Sequence, residues 1–295
     1  MKRLLTPLIA AVLLTACAGV TVPGATRSET PKQALASGAK AMSQLQSARF
    51  DLNGTVNVTL PQALVDRLRA SGGSQAAILT SNMTVTLKVS GAAQKPDRFQ
   101  ATVSAKLGGL TLNTEVIALG GTVYYKDPMT SKWEALKRPS STEPNMAAPK
   151  LSYQTILDTA KSITEITDAN PSLNGVTVEH YRIVPDLAKL FAAISAGHAT
   201  TDSAAMTAIQ AVLQNANVSA DVWTGKDDHL VRRVSYDADV TGDLSQLLAG
   251  TTRKASSKIP ALSLPAGSIA HVTAHLLLDL HDFNTRVKIQ APIVG

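Results

Sequence analysis

Hydrophobic and polar residues alternate along most of this chain, and no other feature limits its fold as much. Phe50, Leu52, Gly54, Val56, Val58 and Leu60 share one parity, and Asp51, Asn53, Thr55, Asn57 and Thr59 share the other. A period of two sends successive side chains to opposite faces of an extended strand, so this segment reads as a long strand with one apolar and one polar face. The pattern returns in Met83, Val85, Leu87 and Val89, in Phe99 to Leu107, and in Leu110 to Ala118. Gly108-Gly109 and Gly120-Gly121 separate these runs as tight hairpin turns. Thr122–Lys126 and Lys132–Leu136 form the next short pair, turning through Asp127-Pro128. Consecutive hairpins with clean alternation make an antiparallel meander with one covered and one wet face.

Helical spacing interrupts this pattern in a few places. Leu35, Ala39, Met42, Leu45 and Ala48 predict an amphipathic helix over Pro31–Ala48, with Gly38 inside it. Gln62–Thr80 reads as helix or loop, broken at Ser71-Gly72-Gly73. Arg138–Lys150 holds Pro139, Pro144 and Pro149 and reads as a crossover within one domain, because strands resume after it. Tyr153–Lys161, capped by Ser152, is a predicted helix, and Ser162–Asp168 a strand. Asn174-Gly175 turns into the strand Val176–Val184. Helices are expected at Pro185–Ala196 and at Ala204–Asn215, the second capped from Thr201-Asp202-Ser203. Val218–Thr224 and Leu230–Ala238 form a hairpin, and Thr241–Gly250 reads as a short helix followed by a loop to Gly267. Val272, Ala274, Leu276, Leu278 and Leu280 share one face of a long strand, and Arg286–Ala291 is the expected last strand. The sum is an α+β chain of about ten or eleven strands with three or four helices.

The N-terminus has a different character. Met1-Lys2-Arg3 precede an apolar run from Leu4 to Leu14, the layout of a secretory signal peptide. That run is too short to span a bilayer core of ~30 Å as a permanent helix. Leu14-Thr15-Ala16-Cys17 follows, and Cys17 is the only cysteine. This stretch resembles a bacterial lipobox, in which the cysteine is acylated and becomes the first mature residue. The reading is therefore residues 1–16 as signal peptide, 17–30 as a lipid-anchored tether rich in Gly, Pro, Thr and Ser, and 31–295 as one domain. The alternatives are an ordinary signal peptide cut near Ala16 or Ala18, and a buried cysteine in a cytosolic protein. Two or three acyl chains anchor stably where one is marginal. The expected location is the extracytoplasmic face of the bacterial cell membrane.

Composition narrows the function. Removing Lys2 and Arg3 with the leader brings the formal charge from +6 to +4, and no Lys/Arg cluster supports nucleic-acid binding. A weakly basic face suits anionic lipid headgroups. Hydrophobic residues make up 44% of the chain and aromatics 4%, so any apolar surface is built from Val, Leu, Ile and Ala. No Gly-rich phosphate loop, His-Glu-x-x-His, cysteine pair or Gly-x-Ser-x-Gly occurs, so neither an enzyme nor a cofactor is expected. His275, Asp279 and His281 share a strand face with metal-site chemistry, but intervals of four and six residues spread them ~13 and ~20 Å along a strand. They are read as facing water, with no metal. Asp227-Asp228 reads as a solvated turn, and Arg232-Arg233 as two charges on opposite strand faces.

The order of several short signals carries a resemblance. A lipobox, a helix and a meander are followed by Val123-Tyr124-Tyr125-Lys126 with Trp133, a helix with Leu157, and Gly175 entering a strand. Val222-Trp223 and Leu230-Val231-Arg232-Arg233 come next, and the chain closes on Asp282-Phe283-Asn284-Thr285-Arg286-Val287-Lys288-Ile289. This resembles the LppX/LprAFG lipoproteins, relatives of the LolA/LolB lipoprotein carriers, over roughly Pro31 to Val294. The resemblance implies a strongly curved antiparallel sheet, an unclosed half-barrel, with helices on its concave side and an apolar cavity between them. It implies a monomeric carrier that binds a lipid or glycolipid by its acyl chains, sits on the membrane through acylated Cys17, and has an envelope transporter as partner. Apolar parity near strand centres selects the candidate lining residues: Val56 and Val58, then Leu87, Val103, Leu112 and Val116, then Leu276 and Leu278. The competing reading is a surface lipoprotein whose core is filled and whose domain binds a protein partner or senses the state of the envelope.

Overall fold

In the computed structural model, residues 29–71, 80–137, 153–167, 172–195, 203–246 and 264–294 are described. Cys17 and the predicted signal peptide lie outside them, as do residues 138–152, with Ser152 among them, 196–202 and 247–263. The alternating segments from Phe50 to Leu280 form strands, and the one at Arg286–Ala291 does not. β1 (Ser47–Thr59), β2 (Asn82–Gln94), β3 (Arg98–Leu107), β4 (Leu110–Leu119), β5 (Thr122–Lys126) and β6 (Trp133–Lys137) are the first meander. β7 (Ala160–Ile166), β8 (Ser172–Leu173), β9 (Val176–Pro185), β10 (Asn217–Gly225), β11 (Val231–Asp243) and β12 (Ile269–His281) are the second.

The two meanders join into one sheet ordered β6-β5-β4-β3-β2-β1-β12-β11-β10-β9-β7, with β8 paired to β9. The chain starts at the centre of the sheet, walks to one edge, reappears at the other edge and returns to the centre. The first strand therefore lies beside the last. Leu52 is paired with Leu278 and Val56 with Ala274 across that seam.

The helices are α1 (Pro31–Gln44), α2 (Gln62–Ser71), α3 (Tyr153–Asp158), α4 (Leu187–Ser195) and α5 (Ser203–Gln214). The start of α1 is specified locally: Thr30 accepts from the Gln33 backbone N–H, and the Gln33 side chain accepts from the Thr30 N–H, a capping box with Pro31 in the first turn. Its apolar stripe packs on the second meander, where Ala34, Leu35 and Leu157 of α3 are buried against Tyr181, Ile183, Val222 and Val231. Gly38 lets α1 come close, because a Cβ there would stand 3.0 Å from the His229 carbonyl oxygen. α5 meets the same sheet face near the end of β11, where a Cβ on Gly242 would stand 2.8 Å from Val212.

Several expectations need correction. The sheet is unclosed, but it is not strongly curled. β-Bulges supply sharp bending in a sheet, and among the described residues register shifts occur only at Trp223/Thr224 and Ala160/Ser162. The ladders joining β1, β2, β3, β4, β11 and β12 run without one. The strands number twelve among the described residues, and α1 stops at Gln44 because Ser47 and Ala48 are already paired with β2. Thr241–Gly250 is no helix at its start, since β11 runs to Asp243; residues 244–246 turn helically, and 247–250 lie outside the described residues. Arg286–Ala291 joins no strand ladder. It is an irregular segment whose Val287 and Ile289 are buried against Ala92 and Ile117, on the side of β2 and β4 away from the helices.

Candidate functional site

Residues paired across an antiparallel ladder point to the same side, so the register decides which apolar residues meet. Leu278 is paired with Leu52, Leu276 with Gly54, and Gly54 in turn with Leu87. Leu87 is paired with Ala105, and Ala105 with Leu112. Val89 is paired with Val103, and Ala101 with Val116. Val56 and Val58 follow Gly54 on the same parity. All eight candidate lining residues therefore lie on one continuous face, the face on which α1, α3 and α5 pack.

They do not share one environment. Val103 is buried with Phe50, Val89, Phe99 and Ala101, and the Phe50 and Phe99 rings stack at 5.6 Å. Leu87 and Leu278 pack on the margin of this cluster. Val56, Val58, Leu112, Val116 and Leu276 stay half-buried. Sequence reasoning also missed part of the patch. Tyr236 is paired with Leu276, Leu110 with Leu107, and Leu136 with Val123, so all three join this face. They remain 37%, 44% and 45% exposed. Their signal was parity within a hairpin, and it is legible only once the neighbouring strand is known. Desolvation by the apolar surroundings pushes the Tyr236 phenol above its usual range even though the residue stays accessible. Gly54 provides space in the middle of the patch: the Leu276 side chain occupies the position a Cβ would take.

The opposite face is polar and charge-paired. Each histidine of β12 meets a carboxylate on a neighbouring strand: His271 with Asp239 at 2.8 Å, His275 with Asp237 at 2.7 Å and His281 with Asp51 at 3.0 Å. Among the described residues no group of three or more His, Cys, Asp or Glu is placed to hold a metal ion. Arg233 reaches Asp279 at 2.6 Å, and Arg182 donates two hydrogen bonds to the buried Asp221 at 2.8 and 2.9 Å. Arg232, on the bulge, pairs with Asp228 and lies 5.4 Å from the Phe283 ring. The hydrogen bond from Ser90, with His281 beside it, holds the Asp51 carboxyl below the ordinary carboxylate range. Burial and a hydrogen bond to Glu179 push the Tyr181 phenol upward. No described helix is long and apolar enough to cross a membrane.

No protein-family model and no curated protein matches this chain. The solved structures to which this chain is similar include two from bacteria. LprF from Mycobacterium bovis is 13% identical with a TM-score of 0.43, over 90% of this chain and 97% of that one. A LolA superfamily protein from Nitrosomonas europaea is 8% identical with a TM-score of 0.22, over 88% of this chain and 96% of that one.

Proposed function

We propose that this chain is a bacterial envelope lipoprotein that binds the acyl chains of a lipid or glycolipid against the helix-bearing face of its sheet and carries or presents them. The observation that carries this reading is the continuous aliphatic patch from Leu112 through Leu87 to Leu276, half open among the described residues and extended by exposed Leu110, Leu136 and Tyr236. Contiguous exposed apolar patches mark ligand-binding, membrane or protein-interaction sites. Acyl chains need volume and no directional hydrogen bonds, which suits aliphatic walls, and each buried CH₂ contributes about 0.8 kcal/mol. Residues 1–16 serve as the leader, Cys17 as the lipidated anchor and 31–295 as one lipid-binding domain on the outer side of the cell membrane, with an envelope transporter as its partner.

Native mass spectrometry of the chain purified from its own host, followed by lipid extraction, tests the proposal. A stoichiometric lipid adduct beyond the anchor is expected. A clean apo mass, with no uptake of a fluorescent acyl probe, sinks it. One observation favours the competing filled-core reading: Phe50, Phe99, Val89 and Val103 already fill one end of the patch. On that reading the remaining open face takes a protein, and the acyl probe fails to bind.

A further inference from the structure

The irregular segment after β12 builds a second feature, on the side of the sheet away from the apolar patch. Its inward residues, Val287 and Ile289, are buried, which leaves Arg286, Lys288 and Gln290 exposed. Gln94 and Arg98, paired at the β2–β3 hairpin, form the facing wall. Together with Val287 and Ile289 they line an open cleft of about 620 Å³. The cleft gathers two guanidinium groups and one ammonium and no carboxylate. Asp97, in the neighbouring turn, does not line it. Among the described residues Arg98, Arg286 and Lys288 form no ion pair.

Like charges held around one cleft repel unless an anion neutralises them, and phosphate matches guanidinium forks best. Beyond Gln290, Ile293 and Val294 stand 93% and 48% exposed. They lie within ~14 Å of chain from Gln290. A free phosphate has no use for bare aliphatic neighbours. A lipid surface does, because cations meet its phosphate layer while adjacent apolar side chains enter the acyl boundary.

We infer that the cleft of Arg98, Arg286 and Lys288 docks this protein onto anionic phospholipid headgroups at a membrane surface, with Ile293 and Val294 as the apolar contacts. This site is separate from the acyl-binding patch and stands or falls independently of it.

Vesicle co-sedimentation of the full chain tests the site, with Cys17→Ser in every sample so that no acyl anchor contributes. The chain is compared with its Arg98→Gln/Arg286→Gln/Lys288→Gln variant on phosphatidylcholine vesicles with and without phosphatidylglycerol. All three residues are exposed, so the variant's melting temperature should stay unchanged and serve as the folding control. The expected result is binding that requires phosphatidylglycerol, weakens with salt, and drops on the order of 100-fold in the triple variant. Ile293→Ser/Val294→Ser should weaken binding while keeping its salt dependence. Equal binding by the parent chain and the triple variant, or equal binding to neutral vesicles, overturns the inference. Inorganic phosphate that raises the parent's melting temperature while anionic vesicles gain nothing over neutral ones would assign the cleft to a soluble phosphate instead, and would also overturn it.

Discussion

Gly54 and Gly91 sit on the same face, one strand apart, and a methyl group separates them sharply. At Gly54 the new Cβ collides with the end of the Leu276 side chain, which can rotate away, and meets the His275 carbonyl oxygen at an ordinary 3.6 Å. At Gly91 it meets the Gln100 backbone carbonyl, and the Phe50 ring at 2.6 Å. Neither of those can yield without opening a ladder or unstacking Phe50 from Phe99. Gly54→Ala should therefore change stability by less than about 1 kcal/mol, while Gly91→Ala should cost about 1–3 kcal/mol, read from urea midpoints. Gly54→Ala also pushes Leu276 into the open patch, so on the proposed function it lowers acyl-probe uptake with the fold intact. Asp51 gives a residue-scale prediction in pH. Its folded carboxyl is held below its unfolded value, first by Ser90 and then by His281. The stabilisation is thus present above the ordinary carboxylate range and is lost as pH falls through the folded value. Ser90→Ala should flatten the fall in melting temperature below about pH 4. An unchanged acid limb would assign the effect to other carboxylates.

At the scale of elements, the segment after β12 shows how burial and secondary structure part company. Its alternation of Arg286, Val287, Lys288 and Ile289 is that of a strand, yet it lies over side chains rather than beside a backbone edge. Its apolar residues are as buried as strand residues: Ile289 is among the largest fully buried side chains. Ile289→Ala should accordingly cost about 2–4 kcal/mol by chemical denaturation, which an exposed tail would not. The parity of this segment was legible and its pairing was not, because alternation records that one side is covered but not by what. The same limit applies to the candidate site. Val103 and Leu276 are indistinguishable by parity. Phe50 and Phe99, brought beside Val103 from its own strand and from two strands away, decide that one is core and the other open. Leu136 and Tyr236 escaped notice because their apolar neighbours come only from adjacent strands.

Across the whole molecule, the seam between β1 and β12 predicts that the two meanders unfold as one unit. The seam is thirteen-residue strand against thirteen-residue strand, with an unbroken register from Arg49–His281 to Thr59–His271. Neither half can expose its side of this seam without leaving a long unpaired edge. The two tryptophans report the halves separately: Trp133 begins β6 at one edge, and Trp223 in β10 stacks on His180 at 4.2 Å. Trp133→Phe and Trp223→Phe leave one reporter each, and their fluorescence transitions in urea should coincide within each variant with circular dichroism. A Trp133 transition clearly separated from the loss of strand signal would mean two independent domains. Because the seam joins residues far apart in sequence, refolding should fall in the slow range of β proteins, milliseconds to seconds.

The sequence by itself determined most of the strands, which parity of each is apolar, and where α1 begins, because those properties rest on a period of two, on glycine turns and on a local cap. The tertiary structure alone decided the strand order, the meeting of the first strand with the last, the shallow rather than strongly curled sheet, and the crossing of Val287 and Ile289 over Ala92 and Ile117. It also decided that Arg98 and Lys288, nearly two hundred positions apart, share one cleft. These outcomes depend on the register and on which surfaces compete to be covered. A linear pattern encodes the demand for burial on each face, and only the folded chain chooses the partner that meets it.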